Sequence, residues 1–525
     1  MSIARPSRAL ILVGLTALAG TLRLWNLGRD SLWLDEAATW WNATLPTLRD
    51  CALAEVNHGP VWWLWTRGFV HLFGDGEAAL RAPAALLGTA AVPLTFLLAE
   101  RLAPPTADRP GVALLAGVLA ACGGFWIEYA QEARMYAGLL CAAIALSLLL
   151  LDWLETGRDR LLLAYAALAA LALYMHLFAV WPLLAHAAWL LLRLATGRDR
   201  AAAIRLLKLG SAQVAAVIAF APWLLRSLAH PAGVAASGRF NPLTRLASSL
   251  WRMGVGPALE PYDAVRIAAG VGPFLETAGT LVIVTFLVWG GAILLGAIEL
   301  VRTRRGGWFV ATGVLVPVIG LLLVHSRLPL MHEKYLIFIA PLLVVLAATG
   351  ARSAPGLLRP ALTISLLVLA LASGLASPLR EMPFVARVLQ GGHPSGKESW
   401  REVQRDIAAD AAAGEIVVLY PAYLDRAWRY YDRGAHPTLG LARLPVDAQD
   451  LRELIPGIEA AARVTYVLAH EDTTARRALL DVFADESAIL PEDIRKRVRL
   501  YPRQFGIRVV RVERDAAGSG ARRPD

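Results

Sequence analysis

Charged residues are scarce in this chain of 525 residues: Asp, Glu, Lys and Arg together make up 18% of it, whereas an ordinary soluble protein has about 25%. Cysteine is scarcer still, with Cys51, Cys122 and Cys141 alone, two of them inside apolar runs. Three cysteines so placed exclude a disulfide scaffold and a cysteine-based metal site. An internal repeat of fixed period is also lacking. The composition therefore excludes an ordinary soluble protein and a disulfide-rich one.

Long apolar runs stand where the charge is missing. Hydrophobic residues account for 57% of the chain, and the mean hydropathy is +0.50. A helix needs about 20 apolar residues to cross about 30 Å of hydrocarbon. The runs predict eleven such helices, near 8–25, 80–100, 111–127, 134–153, 161–176, 178–194, 206–226, 278–299, 308–325, 333–350 and 359–377. The predicted fold class is a polytopic α-helical membrane protein.

Two of these runs allow another interpretation. The first, with ALA at 17–19, has features of a cleaved signal peptide. Because many further spans follow it, we expect an uncleaved helix. The stretch 161–194 would be about 50 Å long as one helix, which is too long for a single crossing. Its polar His176 and its Pro182 predict two short spans that meet at the membrane surface.

Basic residues predict the orientation. The formal net charge is +10, and Lys and Arg concentrate in the cytoplasmic loops of membrane proteins. With eleven spans and a cytoplasmic N-terminus, the basic cluster at 193–208 lies inside. The segments outside are then 26–79, 127–133, 227–277, 326–332 and the C-terminal part. We expect a multi-pass protein of the cytoplasmic (inner) membrane, in contact with membrane lipids and without a nucleic-acid partner.

The first outer segment, 26–79, carries two adjacent acids, Asp35 and Glu36. Four tryptophans surround them between residues 25 and 41, and tryptophan favours the water–lipid boundary. A carboxylate at that level is costly to desolvate and adds nothing to packing. The pair is therefore predicted to be functional. The strongly aromatic run 61–74 in the same segment predicts a helix lying in the interface.

The composition changes near residue 380. Runs rich in β-branched residues predict strands at 415–420, 464–470 and 507–513. Helices are predicted at 399–414, where Ser399 and Glu402 suit a capping box, at 448–463 and at 473–486. The predicted domains are a transmembrane domain over 1–379, an extracytoplasmic α/β domain over 380–515 and a disordered tail over 516–525.

Several predicted outer stretches together resemble a known family. They are LRLWNLGRDSLWLDEAATW (22–40), NHGPVWWLW (57–65), IEYAQEARMYAGLL (127–140), YMHLFAVWPLLAH (174–186) and HEKYLIFIAPLLVV (332–345). In order and spacing they resemble the GT-C glycosyltransferases, in the bacterial branch that is similar to protein O-mannosyltransferases and to the lipid A aminoarabinose transferase. The resemblance covers roughly residues 8–350. It implies a GT-C-like transmembrane domain and does not extend to the domain after residue 380.

The resemblance also implies an enzyme. Members of this family take a sugar (a hexose or a pentose) from a polyprenyl-phosphate-linked donor and pass it to an envelope lipid, glycan or protein on the outer face. Asp35 matches the family's acid in the first outer loop, where a base can take the proton from the attacking hydroxyl. Glu36 is a second catalytic candidate, although consecutive side chains point in different directions. The alternative is an acid at a helix N-terminus, with Ser31 or Asp35 capping a short interfacial helix.

The second outer loop supplies three further candidates. Glu132, within QEAR (131–134), matches the family's acid here and is a catalytic candidate. Glu128 lies four residues earlier, on the same face if the segment is helical, and is a candidate for binding substrate. Arg134 has the planar guanidinium that suits the carrier's phosphate. The alternative is a surface ion pair between Glu132 and Arg134, which contributes little.

The remaining candidates are predicted to bind substrate or phosphate. His58 matches the histidine of the family's H-x-P stretch, and a neutral histidine can hydrogen-bond substrate. Relatives often have proline where Gly59 stands, so a looser turn is expected. Lys334 and Tyr335 stand where the family often has Arg-Tyr, and the alternative is a snorkelling lysine beside an interfacial tyrosine. Weaker candidates are His176, Arg226, Arg327 and His332.

Asp35 and Glu132 are also the candidate ligands if the protein uses a divalent cation; no other cofactor is expected. Two alternatives to an enzyme remain. A transporter or flippase favours mid-span charges and repeated halves, whereas the acids here stand at loop level and no repeat is visible. The second alternative is a non-catalytic relative that supports envelope assembly. The joint presence of Asp35, Glu132 and Lys334 disfavours this alternative.

Overall fold

The computed structural model describes residues 7–105, 108–196, 200–230, 241–256, 271–303, 306–328, 330–379, 397–470, 473–501 and 507–513. The chain divides into two compact units. Unit 1 comprises Met1–Leu27 and Asn42–Pro394, and unit 2 comprises Gly28–Trp41 and Ser395–Asp525. The predicted boundary at residue 380 and the predicted tail 516–525 lie outside the described residues.

Helices make up unit 1. In chain order they are α1 (Arg8–Leu24), α2 (Leu34–Ala43, shared with unit 2), α3 (Leu48–Leu53), α4 (Val61–Phe73), α5 (Glu77–Leu102), α6 (Arg109–Cys122), α7 (Gly124–Ala130), α8 (Tyr136–Thr156), α9 (Arg160–Met175), α10 (Val180–Thr196), α11 (Arg200–Ala229), α12 (Pro242–Val255), α13 (Val271–Arg302), α14 (Gly307–His325), α15 (Ala340–Ser353) and α16 (Leu358–Leu379). Two 3₁₀ segments, Leu177–Ala179 and Glu333–Ile339, precede α10 and α15.

Each of the eleven predicted spans corresponds to a helix or to a bent pair of helices. Among the described residues, eight helices are long and apolar enough to cross a membrane, or nine if the pair α6–α7, bent by 54°, is one span. The other two predicted spans are α1, with 17 residues, and α9, with 16. The stretch 161–194 forms two helices that break at His176, as predicted. The multi-pass helical membrane architecture is confirmed.

The centre of unit 1 is the segment Glu333–Ser353, in which 89% of the apolar window is buried. It packs backbone to backbone against α13. A Cβ added at Gly296 would lie 2.0 Å from the carbonyl oxygen of Leu346, and one added at Gly350 would lie 1.9 Å from that of Ala292. Small residues let membrane helices approach this closely. The close packing fixes the helix that follows the segment carrying Lys334.

A buried arginine holds the loop between α7 and α8 in place. Arg23, near the end of α1, donates to the carbonyl oxygens of Ala120 (2.9 Å) and Ala121 (3.0 Å). These carbonyls lie at the end of α6, where the last helical acceptors need partners. Gln131 donates from its side chain to the carbonyl oxygen of Trp25 at 3.0 Å. The carbonyl groups at the bend after α6 thereby have hydrogen-bond donors, and the loop containing Glu132 is tied to α1.

Unit 2 contains a mixed five-stranded sheet with the strand order β2-β1-β3-β5-β4. The strands are β1 (Glu415–Tyr420), β2 (Thr438–Gly440), β3 (Arg463–Leu468), β4 (Arg499–Tyr501) and β5 (Ile507–Glu513). Strands β2, β1 and β3 are parallel, whereas β5 is antiparallel to β3 and β4. The helices are α17 (Trp400–Ala408), α18 (Asp425–Asp432), α19 (Ala448–Leu454), α20 (Thr473–Glu486) and α21 (Pro491–Lys496). The three predicted strands are confirmed.

The predicted capping box of unit 2 is wrong. Ser399 precedes α17 but makes no side-chain capping hydrogen bond, because its backbone (φ −85°, ψ 44°) is not extended. Glu402 instead accepts a hydrogen bond from the hydroxyl of Ser31 at 3.2 Å. The helix predicted over 399–414 ends at Ala408, and the helix predicted over 448–463 ends at Leu454.

Candidate active site

The loop before α4 contains a hydrogen-bonded acid that sequence reasoning missed. The carboxylate of Glu55 accepts from Nδ2 of Asn42 (3.0 Å) and is 3.1 Å from Nδ1 of His58. Burial alone raises the pKa of Glu55, but the hydrogen bond from His58 and the charge of Arg134 outweigh it and lower the pKa to about 2. Because an ionised carboxylate only accepts, His58 donates from Nδ1 and Nε2 remains for another partner.

The backbone at Gly59 packs closely against α9, and the expected looser turn stays a prediction. A Cβ at Gly59 would lie 2.0 Å from the carbonyl oxygen of Tyr174. Proline does not fit at this position, because the backbone of α9 occupies the space. The contact keeps the ring of His58 5.2 Å from the ring of His176.

Five rings from four segments meet in unit 1; we call His58, His176, Tyr136, Phe178 and Tyr335 the ring cluster. The ring of His176 is 6.0 Å from Tyr136 and 5.9 Å from Tyr335. Phe178 lies 5.0 Å from Tyr335, edge to face. These residues stand at the ends of apolar helices, so the ring cluster forms where several spans end.

Two cations border this cluster. The Nζ atom of Lys334 lies 5.6 Å from the ring centre of Tyr136 and 5.5 Å from that of Tyr335. The guanidinium carbon of Arg134 lies 5.5 Å from the ring centre of Trp63. Aromatic faces attract cations at these distances. The contacts hold both positive charges in fixed positions beside the ring cluster.

The ring of Trp63 is in turn 6.3 Å from that of His58, which links Arg134 to the ring cluster. Unit 1 therefore brings together the predicted residues His58, Arg134, Lys334 and Tyr335. It adds Tyr136, which sequence reasoning did not single out, although it stands two residues after Arg134 in the matched stretch.

Glu128 and Glu132, which were predicted to lie in one outer loop, do not share a helical face. Helix α7 ends at Ala130, so Glu128 lies on the helix and Glu132 lies beyond it. Both Glu132 and Arg134 are buried, with 7% and 5% of their surface exposed. Their burial excludes the surface ion pair that was the alternative for these residues.

A second ion pair supports the segment that carries Lys334. The carboxylate of Glu333, which is 2% exposed, pairs with the guanidinium of Arg252 on α12. Neither residue was predicted, because the pairing joins two segments that are distant in the sequence and leaves no local pattern. The pair ties the segment of Lys334 to α12.

An apolar cavity of about 450 Å³ lies beside α12 in unit 1. It runs along α13 from Phe286 to Val301, a rise of about 22 Å at 1.5 Å per residue. Phe286 and Val301 are themselves half-exposed or more, so the cavity opens at the surface of the bundle. Trp251 lines it, and the next residue is Arg252 of the ion pair with Glu333.

In unit 2, the acids of the first outer segment occupy the first turn of α2. Glu36 is completely buried, and its carboxylate is 2.6 Å from Nζ of Lys397. Its other oxygen accepts the backbone N–H of Trp33 at 3.4 Å. These contacts tie the Glu36 carboxylate to the start of α2 and to Lys397. Asp35 is partly exposed, and its carbonyl oxygen accepts from the hydroxyl of Thr39.

The predicted meeting of Asp35 with Glu132 and Lys334 involves both units and stays a prediction. The same holds for a cation held by Asp35 and Glu132. Among the residues that the structure describes, no group of three or more His, Cys, Asp or Glu side chains is arranged to hold a metal ion.

Comparisons with known proteins identify the fold. No protein-family model and no curated protein matches the sequence. ArnT from Cupriavidus metallidurans in the apo state matches at a TM-score of 0.60 and 15% identity, over 95% of this chain and 97% of that one. ArnT bound to undecaprenyl phosphate matches at 0.57 and 16% identity, with the same coverage.

Archaeal oligosaccharyltransferase AglB from Archaeoglobus fulgidus, in complex with an inhibitory peptide and a dolichol-phosphate, also matches. Its TM-score is 0.51 at 13% identity, over 93% of this chain and 72% of that one. The chain thus has the GT-C fold, with a C-terminal sheet domain as in ArnT. The predicted fold class is confirmed.

Proposed function

We propose that this protein is an integral membrane glycosyltransferase. It takes a sugar from a polyprenyl-phosphate-linked donor and transfers it to a lipid, glycan or protein acceptor outside the cytoplasm. The observation that carries the proposal is the placement of Lys334 and Arg134 beside the ring cluster where the spans end. Two proteins of the same fold support it, since ArnT is described with undecaprenyl phosphate and AglB with a dolichol-phosphate.

The two cations suit the donor's phosphate. The leaving polyprenyl phosphate gains negative charge as its bond to the sugar breaks, and fixed cations stabilise that charge in the transition state. Arg134 offers a planar fork for two phosphate oxygens, and Lys334 offers a point charge. Tyr335 can donate its hydroxyl to the same group. Their contacts with Trp63 and Tyr136 hold the cations before the donor arrives.

The apolar cavity suits the prenyl chain. Its lining is almost wholly hydrocarbon, and its length along α13 accommodates several isoprene units. It begins at Trp251, beside the Arg252–Glu333 pair. A lipid lying there has its tail among apolar side chains and its phosphate toward the segment of Lys334. Burial of the tail supplies affinity that does not depend on the sugar.

The transfer itself needs a base. In the proposed step, the Asp35 carboxylate takes the proton from an acceptor hydroxyl while the hydroxyl oxygen attacks the anomeric carbon. The bond from that carbon to the phosphate oxygen breaks, and its electron pair leaves with the polyprenyl phosphate. A single displacement of this kind inverts the anomeric centre. In this proposal Glu132, Glu128 and His58 orient donor and acceptor, and Glu36 supports α2.

A complementation experiment tests the proposal. Envelope lipids, glycans and proteins from a strain lacking the gene are compared by mass spectrometry with those from strains expressing the wild type, Asp35→Asn or Asp50→Asn. Asp50 is the matched control, because it is an exposed acid of the same outer segment. We expect a sugar modification that the wild type and Asp50→Asn restore and Asp35→Asn does not, at equal protein levels. Full restoration by Asp35→Asn removes Asp35 from the mechanism, and the absence of any changed glycan overturns the function.

A further inference from the structure

A second pocket, of about 420 Å³, lies within unit 2. Its volume falls within the range of about 300–1,000 Å³ that is typical of small-molecule sites. The side chains that matter for its chemistry are Trp40, Trp41, Arg429, Asp432, Arg433 and His436. None of them takes part in the transfer chemistry proposed above.

An arginine is held over aromatic rings at this pocket. The guanidinium carbon of Arg433 is 5.2 Å from the ring centre of Trp40 and 4.8 Å from that of Tyr430. The two rings meet edge to face at 5.2 Å. Arg433 follows α18 in the left-handed region, with φ of 51°, which is uncommon for a residue other than glycine. This conformation ends α18, because the backbone N–H of Arg433 donates to the carbonyl oxygen of Arg429 at 3.0 Å.

An acid and a histidine form the opposite part of the lining. Oδ1 of Asp432 is 2.5 Å from Nδ1 of His436, and Oδ2 accepts the backbone N–H of His436 at 3.1 Å. Both side chains are buried, with 1% and 8% exposed. The carboxylate fixes Nδ1 as the donor, so Nε2 is the ring nitrogen that faces another partner.

The charge balance of the pocket is positive. Asp432 is its one acid among the described lining residues, and that acid is engaged by His436. Arg433 and Arg429 both line the pocket, and Arg429 is also paired with Asp425 at 2.7 Å. Two guanidinium groups and two tryptophans in one lining match two properties of one kind of ligand, a sugar ring with an anionic substituent.

We propose that this pocket binds a sugar ring that carries a carboxylate or a phosphate group, and that this sugar is part of the acceptor. The assignment of this sugar to the acceptor rests on the proposed function, whereas its binding to the pocket does not. The face of Trp41 contacts the C–H groups of the ring, since indole combines a large apolar face with a polar edge, whereas Trp40, which is 8% exposed, supports the Arg433 guanidinium. The Arg433 fork binds the anionic group through two hydrogen bonds, and His436 contacts a sugar hydroxyl.

Saturation-transfer difference NMR on the full-length protein in lipid nanodiscs, without donor, tests this inference. The probes are glucuronic acid and glucose 6-phosphate, with glucose as the neutral comparison. We expect both acidic sugars to bind more tightly than glucose. Trp41→Ala weakens binding of all three by about two- to tenfold. Arg433→Gln weakens only the acidic sugars, by about tenfold or more.

Two control variants in unit 2 change exposed side chains outside the pocket lining. They are Arg405→Gln and Tyr423→Ala, with the Arg405 side chain 74% exposed and Tyr423 52% exposed. Binding by both controls at the wild-type level supports the site. The absence of a signal from both acidic sugars, or equal signals from the wild type, Trp41→Ala and Arg433→Gln, overturns it.

The two proposals fail separately. Asp35→Asn leaves sugar binding in the NMR experiment unchanged, because Asp35 does not line the pocket. If the envelope glycans do not depend on the protein but the acidic sugars bind through Arg433, the proposed function fails and the pocket stands. If the glycans depend on Asp35 but the sugars do not bind, the pocket inference alone fails.

Discussion

Glu36 and Asp35 are adjacent acids in different environments, so we expect a change at Glu36 to affect stability and a change at Asp35 to affect transfer. Glu36 is fully buried against Lys397, whose side chain is 16% exposed. Removing one partner of a buried ion pair costs about 3–5 kcal/mol, because the other charge is left without compensation. Glutamine at position 36 still accepts from the N–H of Trp33, and Lys397 keeps some hydration. We therefore expect Glu36→Gln to destabilise unit 2 by about 3 kcal/mol, at the lower end of that range.

The assay is thermal unfolding of the purified protein in detergent, combined with glycan analysis of complemented cells. For a unit of this size, about 3 kcal/mol lowers the Tm by about 6–12 °C. Asp35→Asn is expected to retain the wild-type Tm and to lose transfer. The double variant Glu36→Gln/Lys397→Met is expected to lose less stability than the two single variants lose together, because the two sites interact directly.

A matched control removes an exposed ion pair from the same unit. Asp481 pairs with Arg495, and their side chains are 49% and 43% exposed. Asp481→Asn is expected to cost less than about 1 kcal/mol, as exposed pairs do. Two results would refute the assignment of Glu36 to the support of α2. One is a Tm of Glu36→Gln equal to that of the wild type. The other is strict additivity of the stability effects of Glu36→Gln and Lys397→Met.

Three further predictions concern unit 1. Lys334→Met is expected to weaken binding of undecaprenyl phosphate by about tenfold or more, as measured by native mass spectrometry. Lys334→Arg is expected to keep most of the affinity. Unchanged binding by Lys334→Met would exclude a contact between Lys334 and the phosphate. Since the pKa of Glu55 is lowered from 4.5 to about 2, its stabilising effect is full above pH 4.5 and is lost as the pH falls from 4.5 toward 2. The Tm difference between the wild type and Glu55→Gln should therefore shrink over that interval, and a difference that grows contradicts the sign. Gly59→Ala forces a Cβ against the Tyr174 carbonyl and should lower stability by about 1–3 kcal/mol. The control Gly68→Ala, with open space around its Cβ, should be neutral or stabilising. Equal Tm values for the two variants would show that the backbone at Gly59 can relax.

The helical spans were predictable because the requirement is local. Crossing hydrocarbon needs a sufficient length of consecutive apolar residues, and the break at His176 follows from the length of 161–194 alone. Strands β1, β3 and β5 have runs of β-branched residues that any window of the sequence reveals. Strands β2 and β4 have three residues each, which is too short for a periodicity, and were missed.

The candidate site was predictable only in part. The resemblance to GT-C enzymes singled out His58, Arg134, Lys334 and Tyr335, and the structure brings these four together around the ring cluster. It could not reveal Glu55, Tyr136 or the Arg252–Glu333 pair, since those roles depend on which neighbour each side chain contacts. The proposed roles of Asp35, Glu128 and Glu132 stay predictions.

The sequence by itself determined where the chain enters apolar surroundings and which segments form strands, because hydrophobic length and residue type act over a few neighbouring positions. Tertiary structure alone decided which polar groups are paired. Glu36 meets Lys397 across 361 positions of the chain, and Gly59 is restricted by a carbonyl of another helix. Burial makes the pairing of such groups obligatory, but the identity of each partner depends on how distant segments pack.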